Sequence, residues 1–307
     1  DDNGCVRLDK SAPNNVMWGK YWYRSGINST MKNHLYNIVR SITDVFSVEQ
    51  GDIFLDIASN DGTLLSFVPE RCTRIGIDPC DDSFKIEAQK HANVIIQDYF
   101  SAEVYKKETD QKARVVTCIS MFYDLEDPDT FLKDVHEIMD DNGLFCLQLS
   151  YTPLMLSQMA FDNICHEHYF YYSLFNIKAL LKKNGFQILD CRLNDCNSGS
   201  FRVYIMKDGA DITKFGTQPH RDVCAYRVAS VLEYEKTLKL DDPKTWIDFY
   251  DKINWLKEQT VSFIKRAVGR GLSVYGYGAS TKGNTLLQYF GLDNTLITAI
   301  ADRSPYK

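Results

Sequence analysis

Apolar positions in this chain follow two periods. In MKNHLYNIVRSITDVFSV, Met31, Leu35, Ile38, Val39, Ile42 and Val45 recur at roughly 3.6 residues, which predicts a helix with one buried face. Short apolar runs then alternate with stretches of helical spacing. IFLDIA, RIGIDP, VIIQDYF, VVTCIS and GLFCLQLS read as strands, the last after the turn signal Asp141-Asn142-Gly143. TLLSFV, FKIEAQKHA and DTFLKDVHEIM read as helices between them. Strands apolar throughout need cover on both faces, and intervening helices supply it, so residues from about 30 to about 150 predict a parallel, doubly wound α/β sheet.

The pattern continues with NIKALLKKNGFQILDCRL, a helix, a glycine stop and a strand. SFRVYIMKD is a further strand, able to pair antiparallel with it at the sheet edge. Residues ~210 to ~270 are mostly helical. There Trp246, Phe249, Tyr250, Ile253, Leu256, Phe263 and Ile264 form a stripe for intramolecular packing, and Pro243 stands near the helix start. LSVYGYGAS, TKGNTLLQYFGL and LITAIADRSP then read strand, helix, strand. The expected organisation is an N-terminal segment or lid over 1–30, a Rossmann-like domain over 31–209, a helical connection over 210–270 and a partial second Rossmann-like β-α-β unit over 271–307.

A chain of 307 residues suits one large or two modest domains. Its net charge of -6 offers no field for nucleic acid or anionic lipid, and no apolar run is long enough for a membrane helix. The opening DDNGCVRLDK lacks the features of a signal peptide, so the expected compartment is the cytoplasm. The 9 cysteines are scattered without a C-x-x-C pair. That argues against a disulfide framework or a self-contained zinc site and for buried thiols.

Candidate chemistry begins in IFLDIASNDGTLL, a strand and turn where such sheets bind ligands. Asp56 ends the strand, Ala58 and Gly62 are small enough for close backbone approach, and Asn60 and Asp61 can stabilise the turn by local side-chain bonds. The loop is not G-x-G-x-x-G, so a dinucleotide is weakly supported. An acid before a small-residue turn suits a ligand carrying an ammonium group, as S-adenosylmethionine does. Asp78 and Pro79, in GIDP, follow the second strand, where a carboxylate can accept both ribose hydroxyl protons. Asp98 and Tyr99, in QDYF, follow the third, where Asp98 can accept from an adenine amino group. Ser120, Met121 and Phe122 follow the fourth and can flank the adenine or the sulfonium. Each acid alone could be a turn former; three at successive strand ends on the ligand edge favour a nucleoside site.

NICHEHYFYYS concentrates titratable groups. In a strand His166 and His168 would share a face, as in some zinc sites, but no further ligand pair is evident and no metal is expected. H-E-x-x-H zinc chemistry is excluded by the spacing. An acid/base site fits better: a histidine titrates near working pH, Glu167 can fix its tautomer, and Tyr171 and Tyr172 can donate to a developing enolate oxygen. An aromatic turn with satisfied histidines is the alternative. Arg202 in SGSFRVY and Lys282 in GASTKGN are candidate cations for a diphosphate.

Together YWYRSGIN, LDIASNDGTLL, GIDP, LEDPDTFL, SYTPLML, DNICHEHYFYYS, NSGSFRVY and VYGYGASTKGNTLLQYFGL resemble the S-adenosylmethionine-dependent nucleotide-sugar C-methyltransferases. The resemblance implies a class I methyltransferase sheet, S-adenosylmethionine as methyl donor, and an acceptor that is a nucleotide-activated 4-keto-6-deoxy sugar, methylated on the carbon beside its ketone. It implies His168 as base, supported by Glu167 and His166, with Tyr23 near the methyl donor and Arg24 and Ser25 helping to close the site. Tyr151, Cys165, Ser200 and Tyr277 fall in the stretches associated with the acceptor. Some members carry tyrosine where this chain has Cys165, and the resemblance leads to an expectation of glycine where it has Ala58. They also begin with a four-cysteine zinc domain, of which Cys5 would be a remnant, and continue past Arg303-Ser304-Pro305, so a shortened C-terminal unit is expected. Two other classes compete: an NAD-linked nucleotide-sugar oxidoreductase, suggested by GYGAST, and a non-catalytic binding protein. Whether the chain is a monomer or a homodimer stays open.

Overall fold

The computed structural model describes residues 5–10 and 23–302. The rest of the expected N-terminal segment and the Arg303-Ser304-Pro305 stretch lie outside the described residues.

Helix α1, Ser29–Thr43, starts where the side chain of Asn28 accepts the Thr30 N–H, and it buries Leu35, Ile38, Val39 and Ile42, the face its periodicity predicts. Strands β2 (Ile53–Ile57), β3 (Thr73–Ile77), β4 (Val94–Ile96), β5 (Ala113–Ile119) and β6 (Met139–Ser150) are the apolar runs; β1 is the short Val6–Arg7. They join β8 (Phe186–Asn194) and β9 (Ser200–Lys207) in a seven-stranded sheet of order β4-β3-β2-β5-β6-β9-β8. Pairing is parallel from β4 through β6, and β9 runs antiparallel to both β6 and β8. The predicted hairpin is therefore present, with β8 at the edge.

The two sheet faces have separate cores. One gathers Ile38, Phe54, Val115, Leu144, Tyr204 and Met206 under α1. The other gathers Leu55, Val116, Phe145, Phe201, Val203 and Ile205 under α4 (Pro128–Ile138) and α6 (Leu174–Lys183). The alternation along β9, with Phe201, Val203 and Ile205 opposite Tyr204 and Met206, is the period-2 pattern of a strand covered on both sides. Helices α2 (Asp82–Ala88), α3 (Ala102–Lys106) and α5 (Thr152–Ser157) are the shorter crossovers.

Two sequence expectations are corrected. TLLSFV does not start an α-helix: only one tight turn, Leu65–Phe67, forms, and Val68 is already extended at ψ 134°. Val68 precedes Pro69, which disfavours helical backbone in the residue before it. Nor does Asp141-Asn142-Gly143 precede the strand. It forms an irregularity inside β6, where Met139 pairs with Ala113 but Leu144 pairs with Val115. A side chain at Gly143 would meet the backbone oxygens of Asp140 and Ala113 at 3.0 and 3.1 Å, so glycine admits the close approach.

Helix α7 (Gln218–Leu238) lays Val228, Val231 and Leu232 on the second core. Helix α8 (Pro243–Gly269) begins at Asp242, whose side chain accepts the Lys244 N–H, with Pro243 in the first turn. Strand β10 (Tyr275–Tyr277), α9 (Thr281–Phe290) and β11 (Ala299–Ala301) form the expected β-α-β unit with parallel strands. A third core ties this unit to α8 and to the sheet domain through Phe249, Ile253, Ile264, Phe290, Met155 and Phe161. The Phe161 and Phe290 rings stack at 5.3 Å. Strand β7 (Phe170–Tyr171) pairs antiparallel with β1. All 9 cysteines are free, and all but Cys196 are buried. Among the described residues no helix is long and apolar enough to cross a membrane.

Candidate active site

Strand order reverses between β3 and β5 around β2, and at the carboxyl ends of these strands a crevice opens. It holds a cavity of about 620 Å³ bounded by the β2, β3 and β5 termini, by Tyr23 and Ser25, by Glu167 and His168, and by Ser280, Thr281 and Lys282 at the start of α9.

On one side stand the strand-end acids. Asp56 and Asp78 both line the cavity and are buried. The Thr117 hydroxyl donates to Asp56 Oδ1 at 2.6 Å. Burial still pushes the Asp56 carboxyl up to about 7, against the Thr117 hydrogen bond and helped by the charge of Asp78. Asp78 accepts the Asn60 N–H (2.7 Å) on one oxygen and the Cys80 N–H (2.9 Å) on the other. The wall between them is backbone in an unusual state: Ala58, Asn60 and Ser120 have φ of 59°, 52° and 58°. Non-glycine residues pay for the left-handed region with strain, and such residues cluster at ligand sites. Pro79, Tyr99 and Met121 also line this side.

The segment Tyr23–Ile27 closes over that loop. Asn60 Oδ1 accepts the Ser25 N–H (3.0 Å), Asp61 Oδ2 accepts the Gly26 N–H (2.8 Å), and Asn60 Nδ2 donates to the Tyr23 carbonyl (3.0 Å). A side chain at Gly26 would sit 2.8 Å from the Thr63 hydroxyl oxygen, so the approach depends on glycine. Burial raises the Tyr23 phenol to about 12.

On the other side lies the histidine-rich stretch. It is a turn, not a strand, so His166 and His168 do not share a face: His166 is exposed and His168 buried. His168 Nδ1 lies 2.7 Å from the Asn163 carbonyl oxygen, and its ring meets Tyr123 edge-on at 4.4 Å. Burial, with smaller contributions from Lys282 and His166, lowers its pKa to about 4. Glu167 accepts from the Thr281 hydroxyl at 3.3 Å, and Lys282 Nζ donates to the Asn197 carbonyl at 3.1 Å. The C-terminal unit is thereby joined to the cavity. Burial lowers the Lys282 pKa. A sulfur of Cys165, an oxygen of Glu167 and a ring nitrogen of His168 lie within 4.8 Å of one another, close enough for a metal ion. Burial raises the Cys165 thiol to about 11.

Several expected residues stand elsewhere. Asp98 is exposed and its carboxylate accepts its neighbour's N–H, so it does not line the cavity. Phe122 is core, packed edge-on against Phe131. Gly62 serves packing: a side chain there would lie 2.7 Å from the Ala88 Cα. Arg24 points to α2, its guanidinium 4.0 Å over the Phe84 ring and donating to the Ser83 hydroxyl. It pins the closing segment without lining the cavity. Tyr171 belongs to the third core, and Tyr172 lines a second cavity beside Cys5 and Asp127. Neither reaches the main cavity. Cys165 lies behind its lining.

The acceptor-side expectations fare similarly. The Tyr151 hydroxyl donates to Glu235 at 2.7 Å, and Ser200 Oγ to the Cys196 carbonyl at 2.8 Å. Arg202 is buried, with Nε donating to Gln148 (3.1 Å) and Nη1 to Ser41 (3.0 Å), and so is spent within the fold. Tyr277 is exposed away from the cavity. Conversely, Tyr123, Asp124, Asn197, Ser198 and Thr281 line it unforeseen. Asp124 follows the fourth parallel strand by a few residues in SMFYDL, the same signal that singled out Asp56 and Asp78.

The family described as "Methyltransferase domain" matches residues 31–190, and that described as "C-methyltransferase C-terminal domain" matches residues 195–307. The C-methyltransferase NovU of Streptomyces niveus is 26% identical over 295 residues, spanning 95% of this chain and 68% of that protein. Among solved structures, an S-adenosylmethionine-dependent methyltransferase from Clostridium acetobutylicum is 14% identical at a TM-score of 0.44, covering 60% of this chain and 94% of that one. Magnesium protoporphyrin IX methyltransferase from Synechocystis, with bound SAH, is 13% identical at a TM-score of 0.45, covering 61% and 90%.

Proposed function

We propose that this chain, which belongs to the methyltransferase-domain family and is an S-adenosylmethionine-dependent C-methyltransferase, methylates the carbon beside the ketone of a nucleotide-activated keto-deoxy sugar. The observation that carries the reading is one cavity with two unlike ends: paired strand-end acids at Asp56 and Asp78, and a buried neutral imidazole at His168.

The donor's groups suit the first end. A buried carboxyl at about 7 lacks the cation that would hold it ionised, and an ammonium beside Asp56 supplies one. Each Asp78 oxygen keeps a lone pair beyond its backbone hydrogen bond, enough for two ribose hydroxyls. Tyr23, Tyr99 and Met121 would cover the base and the sulfonium, and the left-handed backbone at Ala58 lets the main chain approach. When bound, S-adenosylmethionine supplies a methyl group already activated on a sulfonium, so the protein's work is proton removal, alignment and exclusion of water.

His168 takes the proton of the carbon beside the ketone. Its Nδ1 is committed to the Asn163 carbonyl, leaving Nε2 as the basic atom. Glu167, held by Thr281, faces the acceptor from the histidine-rich turn, and Lys282 faces it from the C-terminal unit. Lys282 is the cation best placed for the nucleotide's phosphates, since Arg202 is enclosed.

The test is mass spectrometry of dTDP-4-keto-6-deoxyglucose and related keto-sugar nucleotides incubated with S-adenosylmethionine. One added methyl, with loss of the hydrogen beside the ketone, is expected. Methylation on oxygen, or no product from any keto sugar, sinks the reading. Calorimetry with NAD, expected to show no binding, separates it from an oxidoreductase.

A further inference from the structure

Taking the proposed C-methylation as given, we infer that Asp124 is the proton donor of this active site, a carboxylic acid that protonates the acceptor's carbonyl oxygen while His168 removes the neighbouring C–H proton. Asp124 ends the tight turn Phe122–Asp124 after β5 and lines the cavity with Glu167 and His168. It is only 9% exposed, and its Oδ1 is buried without a hydrogen-bond partner. A buried carboxylate left unpaired costs several kcal/mol, roughly, whereas a neutral acid costs far less. What exposure the carboxyl keeps is on the cavity it lines, where a carbonyl oxygen would give its O–H an acceptor.

The surroundings keep the group protonated. Burial first, and then the negative charge of Glu167, push Asp124 well above the usual carboxylate range. The groups that sense its charge are Glu167, Cys165, Tyr171 and Cys118, none of them a cation. Of the two basic side chains on the cavity wall, Lys282 is bound to the Asn197 carbonyl and His168 is neutral. A second frame fixes the geometry: the Tyr123 carbonyl accepts the Tyr169 N–H at 2.9 Å, and the Tyr123 ring packs on His168. Acid and base thus sit on two turns tied together. The tyrosines expected to stabilise the enolate face other spaces, so the oxygen's partner falls to Asp124.

The proton balance closes. The C–H bond breaks toward His168 Nε2, its electron pair forms the carbon–carbon double bond, and the carbonyl pair takes the Asp124 proton. As the new C–C bond forms to the methyl carbon, the C–S pair leaves with sulfur and the enol proton returns to Asp124. His168 then releases the proton it holds to water.

The experiment compares wild type, Asp124→Asn and Asp124→Ala in heavy water with dTDP-4-keto-6-deoxyglucose and S-adenosylhomocysteine, following exchange of the hydrogen beside the ketone, and then in methyl transfer. Asparagine can donate a hydrogen bond but cannot give a proton. Exchange and kcat are expected to fall at least about tenfold in Asp124→Asn and about 10²–10⁴-fold in Asp124→Ala. Adenosylhomocysteine affinity, which reports folding, should stay at the wild-type value. The wild-type exchange rate should decline at high pH as Asp124 ionises, and that limb should vanish in Asp124→Asn. Wild-type exchange and pH profile in the asparagine variant overturn the assignment. If wild type itself neither exchanges nor methylates any keto sugar, the C-methylation reading fails first and carries this one with it.

Discussion

His168 Nδ1 lies 2.7 Å from the main-chain carbonyl oxygen of Asn163. A carbonyl only accepts, so the proton resides on Nδ1 and Nε2 presents a lone pair. The tautomer is set by backbone rather than by Glu167, whose carboxylate is held by Thr281. His168→Ala should lower kcat by about 10²–10⁴-fold and leave adenosylhomocysteine affinity by calorimetry nearly unchanged. Undiminished turnover would remove His168 from the chemistry.

The two ends of the cavity predict separate pH responses. With its pKa lowered to about 4, His168 is already a neutral base at mildly acidic pH, so with S-adenosylmethionine saturating the acid limb of kcat/KM for the acceptor should fall near pH 4 rather than near 6.5. Asp56 is raised to about 7 and is partly protonated there in the free protein. An ammonium ligand favours its carboxylate, so binding should release protons and tighten as pH rises through about 7. Calorimetry in buffers of different ionisation enthalpy measures the release. Proton uptake would place the ammonium elsewhere.

Ala58 occupies a φ of 59°, a conformation that glycine adopts freely and alanine does not. Ala58→Gly should therefore raise stability by about 0.5–1.5 kcal/mol in denaturant titration, because relief of the strain exceeds the extra entropy of the unfolded chain. Donor affinity should be kept, since the Ala58 N–H bond to the Ile77 carbonyl is unaffected. A destabilised variant would show that the methyl group's packing outweighs the strain.

Where the chain's hydrophobic period was long and regular, as in α1 and the parallel strands, its fold was legible in the sequence. Asp56 and Asp78 were legible too, because their position at strand ends follows from the strands themselves. His166 and His168 were not separable, since two histidines one residue apart share a face only in a strand, and a turn sends one to solvent. Arg202 read as a phosphate ligand because a guanidinium suits phosphate oxygens; Gln148 and Ser41, distant in sequence, take up its donors instead. Asp124 carried the strand-end signal of Asp56 and Asp78, but it stands several residues past its strand, and nothing local marks a carboxyl as unpartnered.

Lys282 brings a partly desolvated cation to the cavity from α9, and burial lowers its pKa. An anionic nucleotide nearby would stabilise the ammonium. Lys282→Met should raise the acceptor KM about tenfold or more while donor affinity holds, by analogy with the 1.5–3 kcal/mol of a charged hydrogen bond. In wild type, acceptor binding should weaken as pH rises and the lysine deprotonates. An unchanged acceptor KM in the methionine variant would assign Lys282 to the Asn197 contact alone.

Glu235 tests whether Tyr151 belongs to the fold or to the acceptor site. From α7 its carboxylate takes the Tyr151 hydroxyl and the N–H groups of Leu174 (2.7 Å) and Phe175 (2.8 Å) at the start of α6. One side chain thus caps a helix and binds a buried phenol, and it is itself buried. Glu235→Ala would leave those donors without a protein acceptor, at about 1–3 kcal/mol for each that water cannot reach. Tyr151→Phe, which removes a donor and leaves the cap intact, should cost about 1 kcal/mol. Both losses should appear in the midpoint of thermal unfolding, with KM for either substrate unchanged in Tyr151→Phe. A raised acceptor KM in that variant, with stability intact, would return Tyr151 to the substrate site.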